Sequence, residues 1–217
     1  MRKVLSAIAL AAVAFLSATG TSWAQRRAEP GAFDYYVLTL SWSPAFCAKS
    51  KGAPDPDQCG MDRKFGFVVH GLWPQNADGG YPANCTRDRT VPKAVVDQIM
   101  PIMPSVGLIV YEWAKHGTCS GLNATDYFAR LREAYAKVKV PEPLQSPNAD
   151  LSVPAMQVER LFVQANPGLA PESVAIVCSK RDVAEVRICL NKDLGFMPCG
   201  SRIVDRCRRD AVLTATR

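Results

Sequence analysis

Histidine is nearly absent: His70 and His116 are the only two in 217 residues. So few imidazoles exclude a histidine-built metal cluster. The eight cysteines include no CxxC pair, so the usual spacing of a zinc site is missing as well. No apolar run approaches the ~20 residues that a membrane-spanning helix needs, and no fixed-period similarity marks a solenoid or propeller. Gly and Pro number 14 and 16, too few for a low-complexity chain. What is present is 48% hydrophobic and 21% charged residues, the balance of a single globular domain able to bury its own core.

The N-terminus reads as an address. Arg2 and Lys3 precede an almost wholly apolar or small stretch from Val4 to Ala18, and Ser22-Trp23-Ala24 stands before Gln25. This is the three-part pattern of a secretory signal. The expected organisation is a removable segment, 1–24, and one domain over 25–217, secreted or periplasmic, with no membrane span and a monomer as the default state. Removing the segment lowers the net charge from +6 to +4, a modest surplus. Residues 178–217 hold nine Lys or Arg against five Asp or Glu, and Arg202, Arg206, Arg208 and Arg209 crowd the tail. That is either a phosphate-attracting edge or a solvated C-terminus. All eight cysteines, Cys47, Cys59, Cys85, Cys119, Cys178, Cys189, Cys199 and Cys207, follow the signal, and disulfides are the default in an exported chain. Their spacing does not select a pairing.

Residues 35–41 read as a β-strand and 65–69 as a second, ending at His70. Residues 71–90, rich in Gly, Pro, Asn and Asp, read as a long loop. Helices are expected over 92–100, over 125–138 with Thr125 as cap, and over 154–165 opened by Pro154. Strands are expected over 173–179 and 183–191, with Lys180-Arg181-Asp182 as their turn. Strands at both ends with helices between them imply an α+β class.

The chemistry concentrates around the histidines. If residues 111–119 are helical, Glu112 and His116 share a face and Lys115 lies beside Glu112; the same spacing also fits an exposed ion-paired turn. His70 ends a strand at the mouth of a polar segment, with Trp73 and Tyr81 nearby. These aromatics either stack on a nucleobase or cover the core. Two histidines can exchange roles as proton donor and acceptor, and a lysine can hold a developing negative oxygen. Without a metal or other cofactor, this set suits displacement at a phosphodiester whose nucleophile is already in the substrate, as is the 2′-hydroxyl of RNA.

The segments HGLWPQ (70–75) and EWAKHGTC (112–119) resemble the two signature regions of the ribonuclease T2 family, the secreted acid ribonucleases. Tyr35-Tyr36-Val37 through Trp42 and Cys47, Gly80 to Cys85, and Val186 to Leu190 followed by Pro198-Cys199 and Cys207 extend the likeness over most of the chain. The resemblance implies an α+β fold with a central antiparallel β-sheet flanked by helices. It also implies cleavage of single-stranded RNA through a 2′,3′-cyclic phosphate to 3′-phosphate ends. It makes His116 the general base and His70 the general acid, with Glu112 and Lys115 supporting the pentacoordinate phosphate. Trp73 and Tyr81 correspond to the aromatics that stack on the base 5′ to the cut, and Gln75 to a position that discriminates it. The implied bridges are Cys85–Cys119 and nested Cys178–Cys207 with Cys189–Cys199, which leaves Cys47 with Cys59. Tyr111 departs from the pattern: many members carry a phosphate-binding histidine there, and tyrosine cannot become cationic near neutral pH. Weaker phosphate binding is the expected consequence. Tyr111 is also the sole support for a different reading, a catalytically weak, exported RNA-binding protein on the same scaffold.

Overall fold

Seven of the eight residues of Tyr35–Trp42 (β1) are buried, and the strand carries no charge, so it can be covered on both faces. In the computed structural model, which describes residues 28–49, 55–145 and 151–215, β1 lies inside the sheet. The expected signal segment, 1–24, is outside the described residues. The chain continues through α1 (Ser43–Lys49), α2 (Pro56–Cys59), β2 (Phe67–Gln75), α3 (Lys93–Ile99), α4 (Val106–Lys115) and α5 (Ala124–Ala136). It ends with β3 (Ser152–Pro154), α6 (Ala155–Ala165), β4 (Val174–Ser179), β5 (Asp182–Leu190) and β6 (Val212–Thr214).

The strand order is β2-β1-β5-β6-β3, with β4 also paired to β5. Val186 lies opposite both Leu40 of β1 and Ile176 of β4, so β5 is covered along both edges. These pairings are antiparallel, and β5 meets β6 in parallel at Asp182 and Val212 alone. The class is α+β, with the expected antiparallel sheet and flanking helices.

Period-2 alternation sends Tyr36, Leu38, Leu40 and Trp42 of β1 into the main core. There they meet helical stripes such as Tyr127, Phe128, Leu131 and Ala134 of α5, and Val158 and Phe162 of α6. Burying each Leu, Val or Phe among them is worth on the order of 1.5–3 kcal/mol. Tyr35 and Val37, on the other face, join a smaller cluster with Ala175, Cys189 and Ile203 beneath the C-terminal segment. No helix among the described residues is long and apolar enough to cross a membrane.

Several local expectations change. Residues 71–75 are strand rather than loop, because Gly71 to Gln75 pair with Thr39 to Tyr35 of β1. The α5 cap is Asn123, whose side chain accepts from Asp126 N at 2.9 Å, and Thr125 lies inside the helix. Pro92 and Pro154 stand at the N-cap, one residue before their helices begin. The short elements α1, α2, β3 and β6 escape periodicity, since three to seven residues hold too few repeats to reveal a face.

The cysteines pair as Cys47–Cys59, Cys85–Cys119, Cys178–Cys207 and Cys189–Cys199, the arrangement that the resemblance implies. Cys85–Cys119 spans 34 residues and Cys189–Cys199 spans 10. Cross-linking the longer loop removes more entropy from the unfolded chain. Replacing both Cys85 and Cys119 by Ser is therefore expected to cost about 3–4 kcal/mol, more than the same change at Cys189 and Cys199. Urea midpoints of the two double variants check the order.

Candidate active site

A break in the β1–β2 register delivers His70. Thr39 pairs with Gly71 and Leu40 with Val69, so His70 has no opposite residue on β1. Such a bulge re-aims one side chain without ending the strand. Beside it, α4 is capped at its start by Ser105, whose hydroxyl accepts from Leu108 N at 3.2 Å, and at its end by His116, whose N–H donates to Glu112 O at 2.9 Å. The 111–115 stretch is thus helical, and Glu112 and His116 share its inward face, 1% and 3% exposed.

Gly71 makes the contact between these elements possible. A Cβ at Gly71 would overlap the Glu112 carboxylate and crowd Trp73 Nε1. Without it, Trp73 Nε1 donates to Glu112 Oε2 at 2.6 Å. The Trp73 ring stands between the histidines: stacked on His116 with centroids 5.2 Å apart, and edge-on to His70 at 5.1 Å. Both imidazoles line one cleft of about 540 Å³.

Two residues that motif reading missed complete the site. Glu185 Oε1 lies 2.9 Å from His70 Nδ1, and Arg187 grips Glu185 Oε2 through Nη2 at 2.7 Å and Nε at 3.0 Å. Glu185 and Arg187 face the site from β5. They reach across β1 where it carries the small residues Ser41 and Thr39, which pair with them. The available signal was a carboxylate and a guanidinium two residues apart in a strand that is otherwise apolar after Asp182, which places both on one face.

The environments of the histidines differ in sign. Burial lowers the pKa of His70, but the Glu185 hydrogen bond and the charges of Glu112 and Glu185 outweigh it and raise the pKa above 6.5, with Arg187 opposing. His116 is pushed down to about 3, first by burial and then by the charges of Lys115 and His70; its buried Nδ1 has no hydrogen-bond partner among the described residues. Burial raises Glu112 to about 7, against the pull of His70, Trp73 and Lys115. His70 Nε2 lies 3.6 Å from Glu112 Oε1, too far for a hydrogen bond.

Lys115 Nζ sits 5.2 Å from the Tyr111 ring centre and 5.9 Å from that of Tyr81. Hydrogen bonding to Tyr111 is the main cause that raises its pKa. Tyr111 therefore serves as a partner of the lysine. Tyr81 is half exposed, 5.5 Å from the His116 ring, and offers an open aromatic face. Trp73 is engaged with His116, Glu112 and Arg187. Gln75 lines the cleft with its Nε2 donating to Pro74 O at 3.0 Å. A smaller cavity of about 250 Å³, lined by Ser41, Phe46, Val68 and Leu108, shares His70 and Glu185 with the cleft. Among the described residues, no group of three His, Cys, Asp or Glu is placed to hold a metal ion.

The model of the Ribonuclease T2 family matches residues 33–199. The chain belongs to the ribonuclease T2 family. A ribonuclease from Aeromonas hydrophila is 40% identical over 180 residues, covering 80% of this chain and 79% of that one. Among solved structures, an RNase-related protein from Calystegia sepium superposes with TM-score 0.68 at 24% identity, covering 85% of this chain and 97% of that one. RNase NT, solved in complex with 5′-AMP, gives TM-score 0.67 at 22% identity, covering 85% and 98%. At these identities the two structures show a shared fold. Membership in the ribonuclease T2 family makes the chain a T2-type endoribonuclease.

Adding one methyl group at Gly71 tests the packing of this ribonuclease T2 site. Gly71→Ala should separate Trp73 from Glu112, cost about 1–3 kcal/mol of stability as overpacking does, and lower RNA cleavage at least tenfold. Thermal melts and an RNA assay on the folded variant read the two effects separately.

Proposed function

We propose that this enzyme cleaves single-stranded RNA by transphosphorylation, with His116 as general base and His70 as general acid. The opposed environments of two imidazoles beside one tryptophan carry this reading. His116, neutral above about pH 3, takes the proton of the 2′-hydroxyl. The 2′-oxygen attacks phosphorus, and His70 gives its Nε2 proton to the departing 5′-oxygen, leaving a 2′,3′-cyclic phosphate. The roles then reverse. His70, now neutral, takes a proton from water, whose oxygen attacks phosphorus, and His116 returns its proton to the 2′-oxygen. The product ends in a 3′-phosphate.

Lys115 supplies fixed positive charge to the pentacoordinate phosphate. Glu112, raised to about 7, is protonated in acid and can donate to a phosphate oxygen, whereas its anion would repel one. Glu185 orients His70 through Nδ1 and keeps Nε2 facing the leaving group. Tyr81, backed by Trp73 and Gln75, takes the base 5′ to the cut, and the smaller cavity beyond His70 takes the departing nucleoside. Four disulfides fit an exported protein.

His70→Ala and His116→Ala should each reduce kcat on single-stranded RNA by about 10²–10⁴-fold with the fold intact. Wild-type cleavage should persist with a chelator, yield cyclic-phosphate ends, and fail on a 2′-O-methyl copy. Binding without cyclic ends would instead support the catalytically weak RNA-binding reading.

The pH profile follows from the signs. The base is available above about pH 3. The acid is lost as pH rises through the elevated His70 value, and Glu112 loses its proton in the same range. The rate should therefore peak on the acid side of neutrality. Glu185→Gln removes a carboxylate that raises His70, while Glu112, Arg187 and His116 remain around it. The alkaline limb should then move to lower pH, and a limb that stays in place in the kcat/KM profile would dismiss this role for Glu185.

A further inference from the structure

We propose that Arg202 and Arg206 form a second phosphate subsite, which takes the non-scissile phosphate on the 5′ side of the nucleotide whose base lies against Tyr81. This rests on the RNA-cleaving reading above and extends it from the cut to the strand leading into it.

Both arginines line the same cleft as Lys115, His70 and His116. Three other arginines of residues 178–217 are matched by carboxylates, and Arg209, which among the described residues is not, is absent from the cleft lining. Arg187 is held by Glu185, and Arg181 and Arg208 both pair with Asp210. Among the described residues, Arg202 and Arg206 pair with none. Asp205, between them in sequence, instead turns to β4, where its Oδ1 accepts from Ile176 N at 2.7 Å. Two exposed guanidinium groups at the rim of a cleft, without counter-charge, are suited to an anion, and a guanidinium matches phosphate geometry with paired N–H donors.

The segment that carries them is fixed in advance. Cys199 is bonded to Cys189 of β5 and Cys207 to Cys178 of β4. Ile203, buried between the two arginines, joins the cluster beneath the sheet. Arg206 N donates to Ile176 O at 2.9 Å, and its carbonyl accepts from Cys178 N at 3.2 Å. Little backbone order remains to be lost when an anion binds.

Strand polarity comes from what surrounds the cleft. The departing nucleoside on the 3′ side goes to the cavity beyond His70, and the 5′ base goes to Tyr81. Arg202 packs over Gly79, with its Nε 2.8 Å from where a Cβ would stand. Gly79 belongs to the turn closed by Asn76 N to Gly80 O at 3.1 Å, immediately before Tyr81. A strand leaving Tyr81 in the 5′ direction therefore meets Arg202.

The test compares kcat/KM on the dinucleoside monophosphate that the wild type cleaves best, on its 5′-phosphorylated form and on its 3′-phosphorylated form. The 5′-phosphate should raise wild-type kcat/KM about tenfold and steepen its log–log salt dependence by about 0.7. In the R202Q/R206Q double variant that gain should vanish, while the plain dinucleotide is cleaved within twofold of wild type, which also reports an intact fold. R208Q/R209Q removes the same charge away from the cleft and should keep the gain. No wild-type gain from the 5′-phosphate, a gain that survives in R202Q/R206Q, or a loss confined to the 3′-phosphorylated substrate would each overturn the subsite. Failure of the wild type to form cyclic ends from any substrate would overturn the RNA-cleaving reading instead.

Discussion

The Glu112 carboxylate is pressed against the bare backbone of Gly71, and most of the cleft is arranged around that contact. It lets α4 approach β2 closely enough for Trp73 to bond Glu112. The tryptophan then stands as a wall between His70 and His116. Tyr127, fully buried behind the strand, donates its hydroxyl to Leu72 O at 2.9 Å and locks the backbone between Gly71 and Trp73. A buried carboxylate is costly unless it is bonded and partnered. Here an indole N–H and the charges of His70 and Lys115 offset part of the cost, and burial still holds the carboxyl pKa up at about 7, so groups of the proposed chemistry also ease the burial.

The two histidines show how little chemistry resides in a residue type alone. Both are imidazoles near one indole, yet one is bracketed by carboxylates and the other is buried beside a lysine. Proximity to Glu185 and Glu112 favours the charged form of His70; desolvation and like charge favour the neutral form of His116. A pair of titrating groups pushed apart in this way is what acid–base catalysis near one phosphate requires. On the proposed mechanism, the positive charge beside the phosphate comes from Lys115, flanked by Tyr111 and Tyr81.

The disulfides contribute shape as well as stability. Cys85–Cys119 joins the segment after Tyr81 to the end of the second signature, and Asn84 N reinforces it by donating to Lys115 O at 2.8 Å. The two C-terminal bridges lay residues 199–207 over the sheet face that helices leave open. The tail thereby becomes a wall of the cleft, and its excess of arginine takes on a direction that composition alone does not provide.

Much of the molecule was legible in the chain. The central strands, α5 and α6 announced themselves because each buries one face for long enough to display a period. The two signatures pointed to His70, Glu112, Lys115 and His116 because each motif packs its residues within eight positions or fewer. Glu185 was not legible, because what makes it part of the site is a 2.9 Å approach to a residue 115 positions away. Nor did sequence tell whether 71–75 paired, whether Trp73 was open to a base, or which tail arginines faced the cleft. Local order follows from local pattern, and so sequence alone determined the longer elements and named the residues of the proposed chemistry. The sign of each histidine's environment depends on charges brought across a strand and from a helix, and distance through space is set only when those elements pack.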